Sequence, residues 1–401
     1  MPNKATVDAH RDALIDTLKQ RGDLTDPRIE AAFRAVPRHL FLPDVPLELA
    51  YSDQSIPVKY DLDGAVLSSV SQPSMIAAML AQMELRPGMN VLEIGAGSGY
   101  SAALMQHIVG TAGLVTTLEL DNDMVRQATD NLHRAGMGNR VKLVQADGTK
   151  GYAPRASYDR IVITASIWDI DPTWEEQLKP KGILVAPIWT DGLQFSAAFE
   201  RTPDGSLMST SNVPCGFVNL RGAGAGPRRI KRFGATPLVL IANEADALDP
   251  AALGAVMTSD AEIDYLHTPL TQHDYWSGLM PYLMLNEPAG TVFGLYNLLG
   301  DARAFGIEGH GFALVAPGSL CFVPDNGQGK AFCFGASDAF VAIDELASVW
   351  QANGRPMVDR MRLRLVPKGD TRPLPENARV FSRPHHNLIV WYTRPSATAT
   401  S

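Results

Sequence analysis

Cysteine is scarce in this chain, and long apolar runs are missing altogether. Only Cys215, Cys321 and Cys333 occur among 401 residues. The number is odd and no two are spaced Cys-x-x-Cys, which argues against a disulfide framework and fits a reducing compartment. Each reads as a small buried hydrophobe rather than a nucleophile. No stretch reaches the roughly 18 apolar residues of a membrane span. The segment Met1–Gly22 mixes charges at helical spacing and lacks an apolar core, so it does not read as a secretory signal. A cytoplasmic location is the expectation. Positive charge is also in deficit, at −8 net, which disfavours a sequence-independent grip on nucleic acid.

What is present is a globular composition, 45% hydrophobic and 19% charged, in a chain long enough for two domains. Val7, Leu14, Ile15 and Leu18 place an amphipathic helix over 4–22. Asp26 and Pro27 read as N-cap and first residue of a second helix, which Pro37 ends. Residues 40–67 read as irregular. Ser71 or Ser74 is the expected cap of a helix reaching about Met83. Strands are expected at 90–94, 114–120, 141–145, 160–164 and 183–187, with helices at 100–109 and 123–135. Strands alternating with helices imply an α/β, doubly wound, Rossmann-like sheet, with its ligand at the carboxyl ends of the strands. The small-residue stretch Leu220–Pro227 suggests a division into 1–225 and 226–401. The second part reads as an α+β domain with apolar runs at 237–242, 291–299, 311–315 and 388–393 and a helix near 338–351. The tail 396–401 reads as frayed.

The chemistry centres on Gly95-Ala96-Gly97-Ser98-Gly99, between a strand and a helix. These glycines let a ligand approach the backbone and the helix N–H groups. Glu119 ends the next strand, at the distance expected of a carboxylate that accepts ribose hydroxyls. Asp147-Gly148 ends the third strand, where an adenine edge would lie. The spacing is not the pyrophosphate pattern Gly-x-Gly-x-x-Gly, and no Lys-Ser or Lys-Thr follows. Glu93 suits a cationic ligand. S-adenosylmethionine satisfies all three points, and a dinucleotide-dependent dehydrogenase is the blander alternative.

A wider set of segments resembles the protein-L-isoaspartate O-methyltransferase family over about 10–222. They include Thr25-Asp26-Pro27-Arg28, Val36-Pro37-Arg38-His39, Phe41-Leu42-Pro43, Ser69-Val70-Ser71-Gln72-Pro73, Ala146-Asp147-Gly148 and Gly216-Phe217-Val218-Asn219-Leu220. The resemblance implies a class I methyltransferase fold, with Ser71 as active-site residue and Ser69 and Val218 near the substrate. It implies that Glu93, Gly95, Gly97, Ser98, Gly99, Glu119, Asp147, Gly148 and Thr164 hold S-adenosylmethionine, with no metal. Ile56-Pro57-Val58-Lys59 and Arg221 depart from the family pattern, and the chain continues well past its closing motif. These departures look like the extended branch associated with ribosomally made peptides, the FxLD-system type. There the methyl ester of an aspartate closes to an aspartimide.

A carboxylate is already ionised at neutral pH. It needs placement in line with the methyl group and exclusion of water rather than a strong base. Ser71 is the choice for that placement; its plainer role is a helix cap. Lys59 and Arg221 are possible attractors of an acidic peptide or merely solvated cations. Trp168 and Trp174 suit core packing, and His385-His386 suits solvent or packing rather than a zinc pair. The expectation is a carboxyl O-methyltransferase acting on Asp or isoAsp of a peptide, with peptide tailoring ahead of general isoaspartate repair. A methyltransferase-like peptide-binding module and an RNA methyltransferase are the other readings. The partners expected are a precursor peptide or protein, with neither nucleic acid nor membrane.

Overall fold

The computed structural model describes residues 3–394 except 228–229, 233–235, 244–247, 259, 299–304 and 327. The tail 396–401 lies outside the described residues. Helix α1 (Lys4–Arg21) buries Val7, Leu14, Ile15 and Leu18. Helix α2 (Pro27–Ala35) starts at Asp26, whose side chain accepts from the Arg28 N–H. The stretch expected to be irregular is in part built: a short helix α3 (Leu47–Ala50) is followed by a hairpin of β1 (Ile56–Tyr60) and β2 (Val66–Val70). Alternation of polar and apolar residues is weak there, which hid the strands.

Helix α4 (Pro73–Met83) is capped by neither serine. Gln72 is the N-cap residue and makes no side-chain cap. Asp53 reaches in from the preceding segment to accept the Ser74 N–H at 2.9 Å. Next come β3 (Asn90–Ile94), α5 (Tyr100–Val109), β4 (Leu114–Glu119), α6 (Asn122–Arg134), β5 (Val141–Gln145), β6 (Tyr158–Ile163) and α7 (Pro172–Gln177). The strand expected at 183–187 is the centre of a longer β7 (Leu178–Trp189). It is followed by β8 (Gln194–Arg201) and β9 (Leu207–Cys215). Strands β3 to β7 pair in parallel, while β8 and β9 add antiparallel.

The remaining chain forms β10 (Ile230–Arg232), β11 (Leu238–Ile241), β12 (Glu262–Tyr265), β13 (Val292–Leu298), β14 (His310–Ala316), β15 (Ser319–Pro324) and β16 (Lys330–Gly335), an antiparallel sheet of seven strands. Cys321 lies opposite Cys333 in its register, and both are free. A helix, Asp338–Ala352, packs on this sheet through Ala339, Ile343, Ala347 and Trp350. The chain then returns to the first sheet. Strands β17 (Met361–Pro367), β18 (Arg379–Ser382) and β19 (His386–Tyr392) extend it past β9, in the order β18-β19-β17-β9-β8-β7-β6-β3-β4-β5. One core cluster runs through both sheets, from Leu92 and Ile161 to Phe312, Trp350 and Val390. Among the described residues, no helix is long and apolar enough to cross a membrane.

Candidate active site

Because β3, β4, β5 and β6 are parallel, their carboxyl ends open on the same edge, and the connections after them surround one cavity. The β2 end and the 217–221 segment close its other walls. Of the residues expected at the site, all but Gly99 and Asp147 line this cavity.

The glycine turn is shaped by its neighbours. Gly95 has φ +99, and a Cβ on it would fall 2.5 Å from Thr164 Oγ1. That hydroxyl donates to the Ile94 and Gly95 carbonyls, at 3.0 and 2.5 Å. Glu119 fixes the other side of the turn. Its Oε2 accepts the Gly97 N–H at 3.0 Å, and Oε1 accepts the Leu120 and Asp121 N–H groups at 2.9 and 3.2 Å. Gly99 starts α5 in the left-handed region at φ +86, against Leu132 rather than the cavity.

Glu93 is fully buried in the cavity wall. The Ser101 hydroxyl donates to one of its oxygens and Thr117 Oγ1 to the other, the latter at 2.5 Å. Burial pushes its pKa up to about 7 despite these donors. Thr117 is the residue in register with Glu93 across β3 and β4. A polar pair inside an apolar strand was the available signal for it.

Asp147 lies outside the cavity lining. Its Oδ1 accepts from the Thr149 N–H and hydroxyl, at 3.0 and 2.7 Å, and its Oδ2 accepts from the Ala223 N–H at 2.9 Å. It therefore ties the β5 loop to the 222–224 turn, while Gly148 reaches the cavity. Trp174 is buried and donates through Nε1 to the Gly148 carbonyl at 2.8 Å.

Lys59 and Arg221 converge on one carboxylate. Lys59 Nζ lies 2.7 Å from Asp121, and Arg221 meets the same group through two nitrogens at 3.1 and 2.6 Å. Asp121 thus joins the β1–β2 hairpin to the closing segment across the cavity mouth. Its pKa is held down by the hydrogen bond from Arg221, with Lys59 adding to the effect against burial. Val218 and Leu220 are set by backbone hydrogen bonds with Ser166, both 2.8 Å. The Ser71 hydroxyl makes no protein hydrogen bond among the described residues, and Ser69 and Ser71 lie in the same cavity wall.

Arg38 stands in a quoted motif, with no role assigned to it from the sequence. It is wholly buried behind the β2 end. Of the pair His385-His386, the first is exposed and the second is packed, as expected. His386 is held between Asp169, in the loop after β6, at 2.8 Å and Glu175 of α7 at 3.1 Å. Among the described residues, no group of His, Cys, Asp and Glu has the arrangement of a metal site.

A doubly wound sheet with a glycine turn and two glutamates, Glu119 and the buried Glu93, over one cavity has the architecture of a class I methyltransferase. The chain belongs to the protein-L-isoaspartate(D-aspartate) O-methyltransferase family, whose profile matches residues 9–224. It is similar to the protein-L-isoaspartate O-methyltransferase of Hyperthermus butylicus, at 38% identity over 53% of this chain and 88% of that protein. The Methanopyrus kandleri enzyme of that name is 38% identical over 53% of this chain and 91% of its own. Among solved structures, a protein-L-isoaspartate O-methyltransferase superposes with a TM-score of 0.49 at 24% identity, covering 88% of this chain and 96% of the other.

The cavity fits the family's cofactor, S-adenosylmethionine. Gly95 and Gly97 bring backbone to the cavity wall, Glu119 offers a carboxylate beside them, and Glu93 offers another that a cation would keep ionised. The protein is a transferase that uses this methyl donor.

Proposed function

We propose that the enzyme esterifies the free carboxylate of an Asp or isoAsp residue within a peptide, and that the ester then closes to a succinimide. When bound, S-adenosylmethionine supplies an electrophilic methyl group that an ionised carboxylate accepts without a base. In this reading Glu119 holds the ribose, the turn Gly95–Gly99 carries the backbone against the ligand, and Glu93 and Thr164 border its charged part. Asp147 acts through the loop it ties, and Gly148 makes the contact. Ser71 orients the acceptor carboxylate, with Ser69 and Val218 flanking it. The ester closes when the amide nitrogen of the following residue attacks the carbonyl; its proton leaves with methoxide as methanol.

The observation that carries the reading is that Ser71 and the two glutamates share one cavity. Isoaspartate repair is favoured by the names of the relatives. Tailoring of a ribosomally made peptide is favoured by the built second sheet beyond the matched 9–224. In this proposal, residues 226–401 recognise the peptide and orient one aspartate among many, in the cytoplasm, where free cysteines persist. The test is mass spectrometry of the enzyme's own candidate precursor peptide and of unrelated isoaspartyl peptides, each incubated with S-adenosylmethionine. Methylation of one precursor aspartate followed by loss of methanol supports tailoring. Methylation of isoaspartyl peptides whatever their sequence, with the precursor untouched, establishes repair instead.

A further inference from the structure

We propose that Arg38 is a positioning residue for methyl transfer: it fixes the Ser71 backbone and places an unneutralised positive charge behind the acceptor carboxylate. The inference rests on the proposed carboxylate acceptor and adds a residue to it.

Arg38 lies in a short helical turn, Arg38–Phe41, and its side chain has no solvent exposure. Its Nε donates to the Ala50 carbonyl at 2.9 Å. Its Nη2 donates to the Ser71 carbonyl at 2.9 Å, with the Val70 and Gln54 carbonyls at 3.4 Å. One guanidinium therefore gathers the end of α3, the loop before β1 and the end of β2. Val70 and Ser71 are cavity walls, and so is Tyr100, whose ring centroid lies 5.2 Å from the Arg38 Cζ. The charge sits one residue layer from the place where an acceptor must lie.

None of these partners is a carboxylate. Nη1 is buried with no hydrogen-bond partner at all. The charged and titratable groups around Arg38 are Asp53, Tyr51 and Tyr100. Asp53 spends its oxygens on Arg21, Gln72 and the Ser74 N–H instead. Holding four carbonyls does not require a full charge, and burying a charge without a counter-ion is costly. An arginine stays charged even there. In a low-dielectric wall that charge acts strongly on a nearby anion. The anion this cavity lacks is the substrate carboxylate.

The experiment uses the full chain loaded with S-adenosylhomocysteine and two synthetic hexapeptides. One carries isoaspartate and the other isoasparagine, its uncharged amide. Calorimetry gives the affinity of each for wild type, Arg38→Met and Arg38→Lys. Wild type is expected to favour the carboxylate, and Arg38→Met to lose about tenfold or more of that preference. Arg38→Lys is expected to keep most of the preference, because the charge remains. Its kcat should nevertheless fall, because an ammonium cannot hold the same fork of carbonyls. The acid limb of kcat, set by ionisation of the bound acceptor, should move up by about one pH unit in Arg38→Met and less in Arg38→Lys. S-adenosylhomocysteine affinity should stay within about twofold in both variants. Equal carboxylate preference in all three proteins overturns the proposal, as does a preference lost equally in Arg38→Lys and Arg38→Met. A wild type that binds the acid in preference to the amide but never methylates it refutes the proposed acceptor, and leaves the role of Arg38 to be read from binding.

Discussion

The two sheets meet function in different ways. In the first, parallel pairing of β3 to β7 sends the connections between them back across a face, so the loops at their carboxyl ends collect at one edge. In the second, consecutive antiparallel strands β13 to β16 pair through their registers with their neighbours in sequence. Such a sheet distributes its loops to both ends and concentrates no chemistry. The difference teaches that what residues 226–401 visibly lend the first sheet is support. One line of support is visible. The β18–β19 connection is anchored on the loop after β6: the Asp169 carboxylate accepts the His385 N–H at 2.6 Å and bonds the His386 ring at 2.8 Å. Three residues earlier in that loop, Ser166 sets Val218 and Leu220 in the cavity. Arg383 adds a stacking contact, its Cζ 3.3 Å from the Trp168 ring centroid.

The largest effect should come from cutting that connection. His386→Leu leaves the buried Asp169 without its cation, while Glu175 keeps only Arg201, and stability should fall by about 3–5 kcal/mol in chemical denaturation. The sign of the pH dependence follows from the charge. Burial works against the protonated ring, but the bonds to Asp169 and Glu175 raise its pKa from 6.5 to about 9. The contribution is therefore complete below pH 6.5 and disappears as pH rises through about 9. If wild type and variant share one denaturation midpoint at neutral pH, the two regions are independent and the comparison fails.

How far the sequence could be read follows the same division. The helix cap at Asp26, the parallel strands and the glycine turn rest on local rules, and each was legible; the cap expected of Ser71 or Ser74 did not form. The hairpin of β1 and β2 was not, because Pro57, Asp61 and Gly64 read as loop and its pairing is irregular. The return of β17 to β9 pairs Leu365 with Leu207, a contact over a separation that no local pattern encodes. Asp147 was placed in the right loop, but its partners lie in the 222–224 turn. His386 was read as solvent-facing or packed because its two carboxylates are far upstream in sequence. Arg38 escaped for the same reason: its carbonyl partners are backbone atoms, invisible in residue identities.

Within the first region, Glu119→Ala should weaken S-adenosylhomocysteine binding by roughly 1.5–3 kcal/mol, as expected for lost hydrogen bonds to a charged group. The variant also frees the Gly97 N–H, so the turn itself loosens. A wild-type-like titration isotherm would show that the ribose lies elsewhere. Stability in denaturant should fall less than for His386→Leu, because Glu119 touches only its own loop and the turn.

A smaller effect separates Glu93 from Glu119. Glu93 titrates near 7 in the free protein because it is buried. A sulfonium ligand favours the ionised form, so affinity for S-adenosylmethionine should fall as pH drops below about 7, by up to tenfold per unit. Uncharged analogues of the same nucleoside should show less dependence, and Glu93→Gln should flatten the profile. An affinity independent of pH between 6 and 8, with Glu93 at about 7 in the free enzyme, would place the ligand's charge away from this carboxylate.

The smallest effect belongs to Ser71, and the fold makes its test clean. A cap serine would lose both helix stability and chemistry on mutation, so the two roles could not be separated. Here Gln72 occupies the cap position and Asp53 supplies the hydrogen bond to the first turn of α4. The contact between Ser71 and Arg38 runs through the backbone carbonyl, which alanine retains. Ser71→Ala should therefore leave the denaturation midpoint and S-adenosylmethionine affinity unchanged. A hydroxyl that orients the acceptor acts on the reacting complex, so kcat should fall by about 0.5–1.5 kcal/mol in activation free energy, the worth of one neutral hydrogen bond. The measurement is kcat at saturating donor and peptide. Full turnover would remove Ser71 from the chemistry. A change in donor affinity with kcat intact would move it to the cofactor's side of the cavity.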